Sequence, residues 1–149
     1  MKKIKQHEFL MHVLRGNADA VNMCEQIFHV SQVLDDLVDR DKPVTSPTII
    51  KSYWIALIEL PLNPFYRRHE LTIRPLMAGA LQDWTDSVTL EREPGSHSKH
   101  LAFVLRDQLT SLVIQCANLV GGYDWMQNVS VEIRKYFHDE ILIDYINDL

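Results

Sequence analysis

Along this chain, apolar residues recur at three- and four-residue intervals almost throughout, the period of one face of an α-helix. The spacing predicts a short first helix over about residues 7–15, ended by Gly16. Asn17 follows as an N-cap. A second helix then repeats Ala20, Cys24, Ile27, Ser31, Leu34 and Val38 along one stripe, with Val21, Phe28, Val30 and Leu37 beside it. Residues 41–46 read as a turn. Ser46-Pro47 pairs an N-cap with a proline in the first turn. The third helix carries Ile50, Trp54, Leu57 and Ile58 and is expected to stop before Pro61. Asn63-Pro64 repeats the same start signal.

Residues 65–88 are helical in pattern, and Pro75 is expected to kink or split them, because proline removes a backbone donor and crowds the preceding turn. Leu76, Met77, Ala80, Leu81 and Trp84 give the second half an apolar face. Residues 91–98, with Pro94-Gly95, are the clearest loop. The strongest periodicity runs from Leu101 through Leu105, Leu109, Leu112, Val113 and Cys116 to Val120. It predicts a fifth helix of about five turns, closed by Gly121-Gly122. Asp124 can cap a last helix holding Trp125, Val129, Ile133 and Phe137, which continues or restarts near Asp139. No segment alternates with the period of two that a strand requires. The expectation is an all-α fold: a compact single-domain bundle of about six or seven helices over residues 1–149, with the second and fifth central.

Composition narrows the picture. At 149 residues, a chain can bury roughly 68–70% of its extended surface without disulfide staples. With 46% hydrophobic and 23% charged residues it is an ordinary globular sequence. A net charge of −5 argues against nucleic acid as the partner, since phosphate contacts need a basic stripe. Cys24 and Cys116 both fall within apolar helical patterns, which fits a reduced, intracellular protein. The N-terminal Met1-Lys2-Lys3-Ile4-Lys5 is basic, but His7, Glu8 and His12 interrupt the apolar run a signal peptide would need. No apolar stretch approaches the ~18–20 residues of a membrane span. A cytoplasmic location without membrane attachment is expected.

The chemistry-bearing residues concentrate where the second helix ends. Asp35, Asp36 and Asp39 form a D-D-x-x-D cluster, followed by Arg40, Asp41 and Lys42. A helix C-terminus carries partial negative charge and favours cations, so carboxylates there cost a few tenths to about 1 kcal/mol each. A divalent cation such as Mg²⁺ is one compensation: carboxylates are its usual ligands, and it bridges readily to phosphates. Asp35 and Asp39, four apart, share a helix face. Glu25, His29, Gln32 and Asp36 form an adjacent polar stripe, in which His29 is a candidate proton carrier. Arg40, Lys42, Arg67, Arg68 and Arg74 are candidate phosphate contacts. The alternative is a solvated acidic face offset by Arg40 and Lys42.

The run Asp35-Asp36-Leu37-Val38-Asp39, then Arg40-Asp41-Lys42-Pro43, resembles the first aspartate-rich motif of the class I isoprenoid synthases. The resemblance implies Mg²⁺ held by Asp35, Asp36 and Asp39, with Arg40 and Lys42 loosely matching that family's phosphate contacts. It covers about ten residues. This chain has roughly half the family's usual length, and Asp139-Glu140-x-x-x-Asp144 is a poor match for the second motif. A broader likeness extends over most of the chain after about residue 20. Phe28-His29-Val30-Ser31-Gln32-Val33-Leu34-Asp35-Asp36, Asn63-Pro64-Phe65-Tyr66-Arg67, Gly121-Gly122-Tyr123-Asp124-Trp125 and His138-Asp139-Glu140 resemble helical proteins encoded by tailed bacteriophages and prophages. That resemblance implies a phage setting and brings no chemistry with it.

Other signals are weaker. His138-Asp139 superficially resembles the HD phosphohydrolases, with His100 as the earlier histidine, but Asp144 and Asp148 follow too closely for the final ligand. His97 and His100 stand three apart at a helix start. The all-α nucleotide pyrophosphatases use acidic helices around Mg²⁺, yet their paired E-x-x-E and E-x-x-D spacing is absent. Neither a nucleophile elbow nor a glycine-rich phosphate loop occurs. Trp54, Trp84 and Trp125, with Phe65, Tyr66, Tyr123 and Phe137, are expected mostly as core anchors. Arg67-Arg68 beside Phe65-Tyr66 alternatively marks an interaction patch. Two functions remain open. One is a small cytoplasmic phage-type accessory protein acting through protein contacts, self-association included. The other is a Mg²⁺-dependent diphosphate-binding protein or enzyme.

Overall fold

The computed structural model describes residues 3–149; Met1 and Lys2, which open the basic N-terminal run, lie outside them. Helices joined by short turns account for the fold, with no strand among the described residues. The all-α expectation holds. The chain divides into two compact units, Met1–Glu70 and Leu71–Leu149.

In the first unit, α1 (Gln6–Val13) buries Phe9, Leu10 and Val13 and packs on α2 (Ala18–Asp39). Between them Gly16 sits at φ 74°, and its N–H donates to the Met11 carbonyl at 2.8 Å, ending α1 as the sequence implied. Asn17 caps α2 by accepting from the Ala20 N–H at 3.0 Å. The first half of the α2 stripe is buried (Ala20, Val21, Met23, Cys24, Ile27), but further along Val33 takes the inward position while Leu34 and Leu37 are exposed.

Helix α3 (Ser46–Trp54) starts one residue earlier than expected. Thr45, not Ser46, is the cap, its hydroxyl accepting from the Thr48 N–H at 3.4 Å. Nor does the helix stop before Pro61. A π-helical segment, Ile55–Glu59, leads directly into α4 (Leu60–Leu62). The reason is steric: a proline ring clashes with the carbonyl four residues back, here Leu57. Widening the helix to i→i+5 bonding, as in the Leu60 N–H to Ile55 carbonyl, carries the chain past Pro61. Asn63 then does two jobs. Its Oδ1 accepts from the Tyr66 N–H and its Nδ2 donates to the Asp19 carbonyl, both at 3.0 Å, tying the start of α5 (Pro64–Glu91) to the start of α2.

Helix α5 runs on past the boundary between the units. Its backbone leaves helical geometry at His69 (φ −117°, ψ 20°), six residues before Pro75. The kink falls at His69 and not at Pro75, where it was expected. Pro75 itself lies inside the helix, and its missing N–H leaves the Leu71 carbonyl without its helical donor. The His69 ring rests 4.7 Å from that of Phe65, and burial, then the neighbouring Arg68 charge, lower its pKa below the ordinary histidine value.

In the second unit, the inward side of α5 is Ile73, Ala80 and Ser87; Leu81, placed on the apolar face by sequence, is mostly exposed. The long fifth helix is two: α6 (Ser96–Leu105) and α7 (Leu109–Gly121), separated by a turn at residues 106–108. The periodicity continues across the break, so the pattern could not reveal it. The turn is held by tertiary contacts of Arg106 described below and by Gln108 Nε2, which donates to the Val104 carbonyl at 2.8 Å. Helix α7 buries Leu112, Val113, Ile114, Cys116 and Ala117 and makes its main packing against α8 (Tyr123–Phe137), through Val129 and Ile133. Gly122, at φ 87°, both ends α7 and precedes α8, so Asp124 lies within the first turn and is not the cap. A Cβ on Gly121 would overlap the Trp125 side chain, which explains a glycine inside α7. The chain finishes with α9 (Leu142–Asn147), which packs on α6 through Tyr145. Both cysteines are buried and unbridged, as their apolar context implied.

Candidate functional site

Asp35, Asp36 and Asp39 occupy the last turn of α2, which contains no basic residue. Asp35 and Asp36 are half-buried and Asp39 is exposed. Asp36 Oδ1 accepts from Gln32 Nε2 at 3.0 Å, one turn back. Helix α2 closes on Arg40, a non-glycine residue in the left-handed region (φ 59°), whose N–H donates to the Asp36 carbonyl at 3.0 Å. Lys42 follows on the exposed turn, and Arg67 and Arg68 are exposed in the first turns of α5. Among the described residues, no three His, Cys, Asp or Glu side chains gather in a way that could hold a metal ion.

The polar stripe beside the acids is engaged within the fold. Glu25 Oε1 lies 3.0 Å from His7 Nδ1, linking α2 to α1, and the Gln32–Asp36 bond continues the same face. His29, the candidate proton carrier, stands exposed between them. A shallow cavity lies nearby, lined by Asp19, Asn22, Gln26, Glu59 and Asn63 among others, with a volume of about 480 Å³. It opens widely to solvent and is lined by α2 residues from Asp19 to Gln26, not by the aspartate cluster.

Elsewhere, His138 approaches Asp107 (Nδ1 to Oδ2, 3.6 Å) in the second unit, and His97 and His100 are exposed at the start of α6. Arg106 is the hub of that unit's ionic contacts. Its Nη2 donates to Glu140 Oε2 at 3.0 Å, its Nε lies 3.6 Å from Asp107, and its guanidinium covers the Phe103 and Tyr145 rings at 5.1 and 4.4 Å. These groups join α6, the turn after it and the α9 region, which is a fastening role.

The least expected feature is apolar. The apolar residues that the sequence reading put on the third helix, Trp54 among them, are exposed. Ser52 and Ile55 point inward, toward α2. Ile50, Tyr53, Trp54, Leu57, Ile58 and Leu62 are between 41% and 68% exposed. Trp54 is therefore not a core anchor, although Phe65 and Tyr66 are. The signal was present in the sequence: residues 49–58 carry apolar side chains on every side of the helix. A helix apolar all round buries more than one face.

Comparison with known protein families, with curated proteins and with solved structures finds no match for this chain. Among the described residues no helix is long and apolar enough to cross a membrane.

Proposed function

We propose that this chain is a small cytoplasmic accessory protein, of the kind tailed phages encode, that acts through protein–protein contacts made by the outward face of α3 and the π-helical segment. The carrying observation is that exposed face. Six large apolar side chains, each 41–68% exposed, stand on neighbouring turns of one helical run, and clustered apolar surface of this kind marks interaction sites. Trp and Tyr at its centre are the residue types that anchor interfaces. The phage setting rests on the sequence resemblance alone.

A photoreactive amino acid placed at Leu57 in the full chain, irradiated in cells, tests this reading. Covalent adducts to a protein chain are expected at Leu57 and not at Leu71, a 95% exposed apolar residue that belongs to the second unit. Equal yields at both positions, or none at either, would remove the reading.

The last turn of α2 supports a second reading: three carboxylates at the negative end of a helix, with Arg40 and Lys42 immediately after. In it, Asp35, Asp36 and Asp39, which do not converge on a metal position in this structure, swing together around Mg²⁺ and, through it, take up a diphosphate compound. Thermal unfolding with EDTA, then Mg²⁺, each with and without pyrophosphate, measures this. Ligand at 100 times its dissociation constant adds about 2.7 kcal/mol, a shift of several degrees. That gain should vanish in the Asp35→Asn, Asp39→Asn double variant. An unshifted wild-type melting curve ends the reading.

A further inference from the structure

We propose that the partner seated on the α3 face is a second copy of this chain, paired antiparallel about a two-fold axis near residues 55–56. The inference rests on the contact reading above and names its occupant.

The first argument is geometric. In an unbroken α-helix, a stripe that starts at Ile50 and passes through Tyr53, Trp54, Leu57 and Ile58 would drift away from Leu62. The π-helical segment takes more residues per turn, and so returns Leu62 to the line of Ile50, Trp54 and Ile58. The same local widening that accommodates Pro61 thus straightens an apolar seam over three turns. The seam is nearly symmetric about its middle. Ile50 and Leu62 lie equally far from residue 56, as do Trp54 and Ile58, while Tyr53 and Leu57 flank residue 55. Antiparallel pairing then sets Ile50 against the partner's Leu62 and Trp54 against the partner's Ile58, large side chain against large side chain.

The second argument is area. At the exposures observed, the six side chains present on the order of 800 Å², about what each partner contributes to a standard stable interface.

The third is charge. Lys51 and Glu59 are both exposed and stand eight residues apart, two turns, too far to reach one another; helical spacing sets them on one flank of the seam, the flank on which Glu59 also borders the α2 groove. Across antiparallel helices, same-flank positions face each other. Lys51 of each copy therefore meets Glu59 of the other, twice, around a two-fold centre at residue 55. An isologous interface needs a self-complementary patch, and this one is self-complementary in shape and in sign. A parallel pairing turns each flank toward the partner's opposite flank and so leaves Lys51 and Glu59 on the same side without each other.

Sedimentation equilibrium of the full-length protein at concentrations up to about 100 μM, ample for an interface of this size, provides the test. A dimer is expected for the wild type and a monomer for Leu57→Glu, with Leu71→Glu remaining a dimer and circular dichroism unchanged in all three. The charge pairs give an independent readout. Lys51→Glu and Glu59→Lys should each weaken self-association roughly 3- to 30-fold, because two rim pairs become repulsive. An equimolar mixture of the two variants should recover the wild-type affinity, since every pair in the mixed dimer is again opposite in sign. A monomeric wild type overturns the proposal, as does a dimer indifferent to Leu57→Glu. A dimer that Leu57→Glu breaks but the mixture does not restore overturns the antiparallel pairing. Adducts at Leu57 to a different protein, with a monomeric wild type, remove the self-pairing and leave the contact reading standing; absence of both removes both.

Discussion

Leu10→Ala is expected to lower stability by about 2–5 kcal/mol, the largest single-residue effect anticipated in the first unit. Leu10 has no exposed surface, and with Phe9 and Val13 it forms the entire buried face of α1. That helix has eight residues and no side-chain N-cap, too short to persist in water by itself. Its existence depends on what it buries against α2, where Ala20, Val21, Met23 and Cys24 are also fully or almost fully buried. Shortening Leu10 leaves a cavity lined by side chains fixed on a long, rigid helix, which has little freedom to collapse into it. The polar link between His7 and Glu25 is too exposed to compensate, with about two-thirds of the His7 side chain open to solvent. Urea unfolding followed by circular dichroism measures the effect as a lower midpoint at unchanged slope. A loss under about 1 kcal/mol would mean that α1 contributes little to the folded state.

How much of this was legible in sequence depends on which interaction decides each feature. Local signals read well where the deciding contact is local. Asn17 and Asn63 were recognisable as helix starts because a side chain and an amide three residues on settle the matter. Gly16 and Gly122 were recognisable as stops because both take positive φ. What is decided by distant groups was invisible. The break between α6 and α7 leaves the apolar rhythm intact and is held by Arg106, whose partners Glu140 and Tyr145 are more than thirty residues away. The run through Pro61 depends on a π-helical widening that no composition rule marks.

The face of α3 failed differently. Periodicity identifies an apolar stripe but cannot say whether the chain itself or something else covers it. Ile50, Trp54, Leu57 and Ile58 were recognised on the third helix, but Trp54 was expected as a core anchor and is exposed. Of the acidic cluster, sequence gave the positions at the helix end. It could not give the engagement of neighbouring polar groups, Gln32 with Asp36 and Glu25 with His7.

Arg106→Ala is expected to cost about 2–4 kcal/mol and to free α9, through the loss of a charge-assisted hydrogen bond and two cation–π contacts. Arg106 is three-quarters buried, so its removal strands Glu140 and uncovers the Phe103 and Tyr145 rings together. Arg106→Lys keeps the charge but loses the planar fork and the stacking surface, and should recover less than half of the loss. Hydrogen exchange should localise the effect, with protection falling in α9 before α7 or α8. The same cluster carries a pH signature. Burial first, then the Glu91 carboxylate facing its hydroxyl, raise the Tyr145 pKa well above the ordinary phenolic value of 10.0, although that hydroxyl makes no hydrogen bond of acceptable geometry. The folded state therefore holds this proton more tightly than the unfolded chain does. The associated stability is complete below about pH 10 and is lost as pH rises beyond it. Tyr145→Phe cannot ionise, keeps the ring against Phe103, and should flatten the alkaline fall in unfolding free energy between pH 9 and 12 relative to wild type. An equally steep fall in Tyr145→Phe would assign the alkaline sensitivity to the lysines and the other tyrosines. A flatter one shows that α9 is fastened by a buried, neutral phenol under a guanidinium, whose ionisation carries part of the alkaline loss of stability.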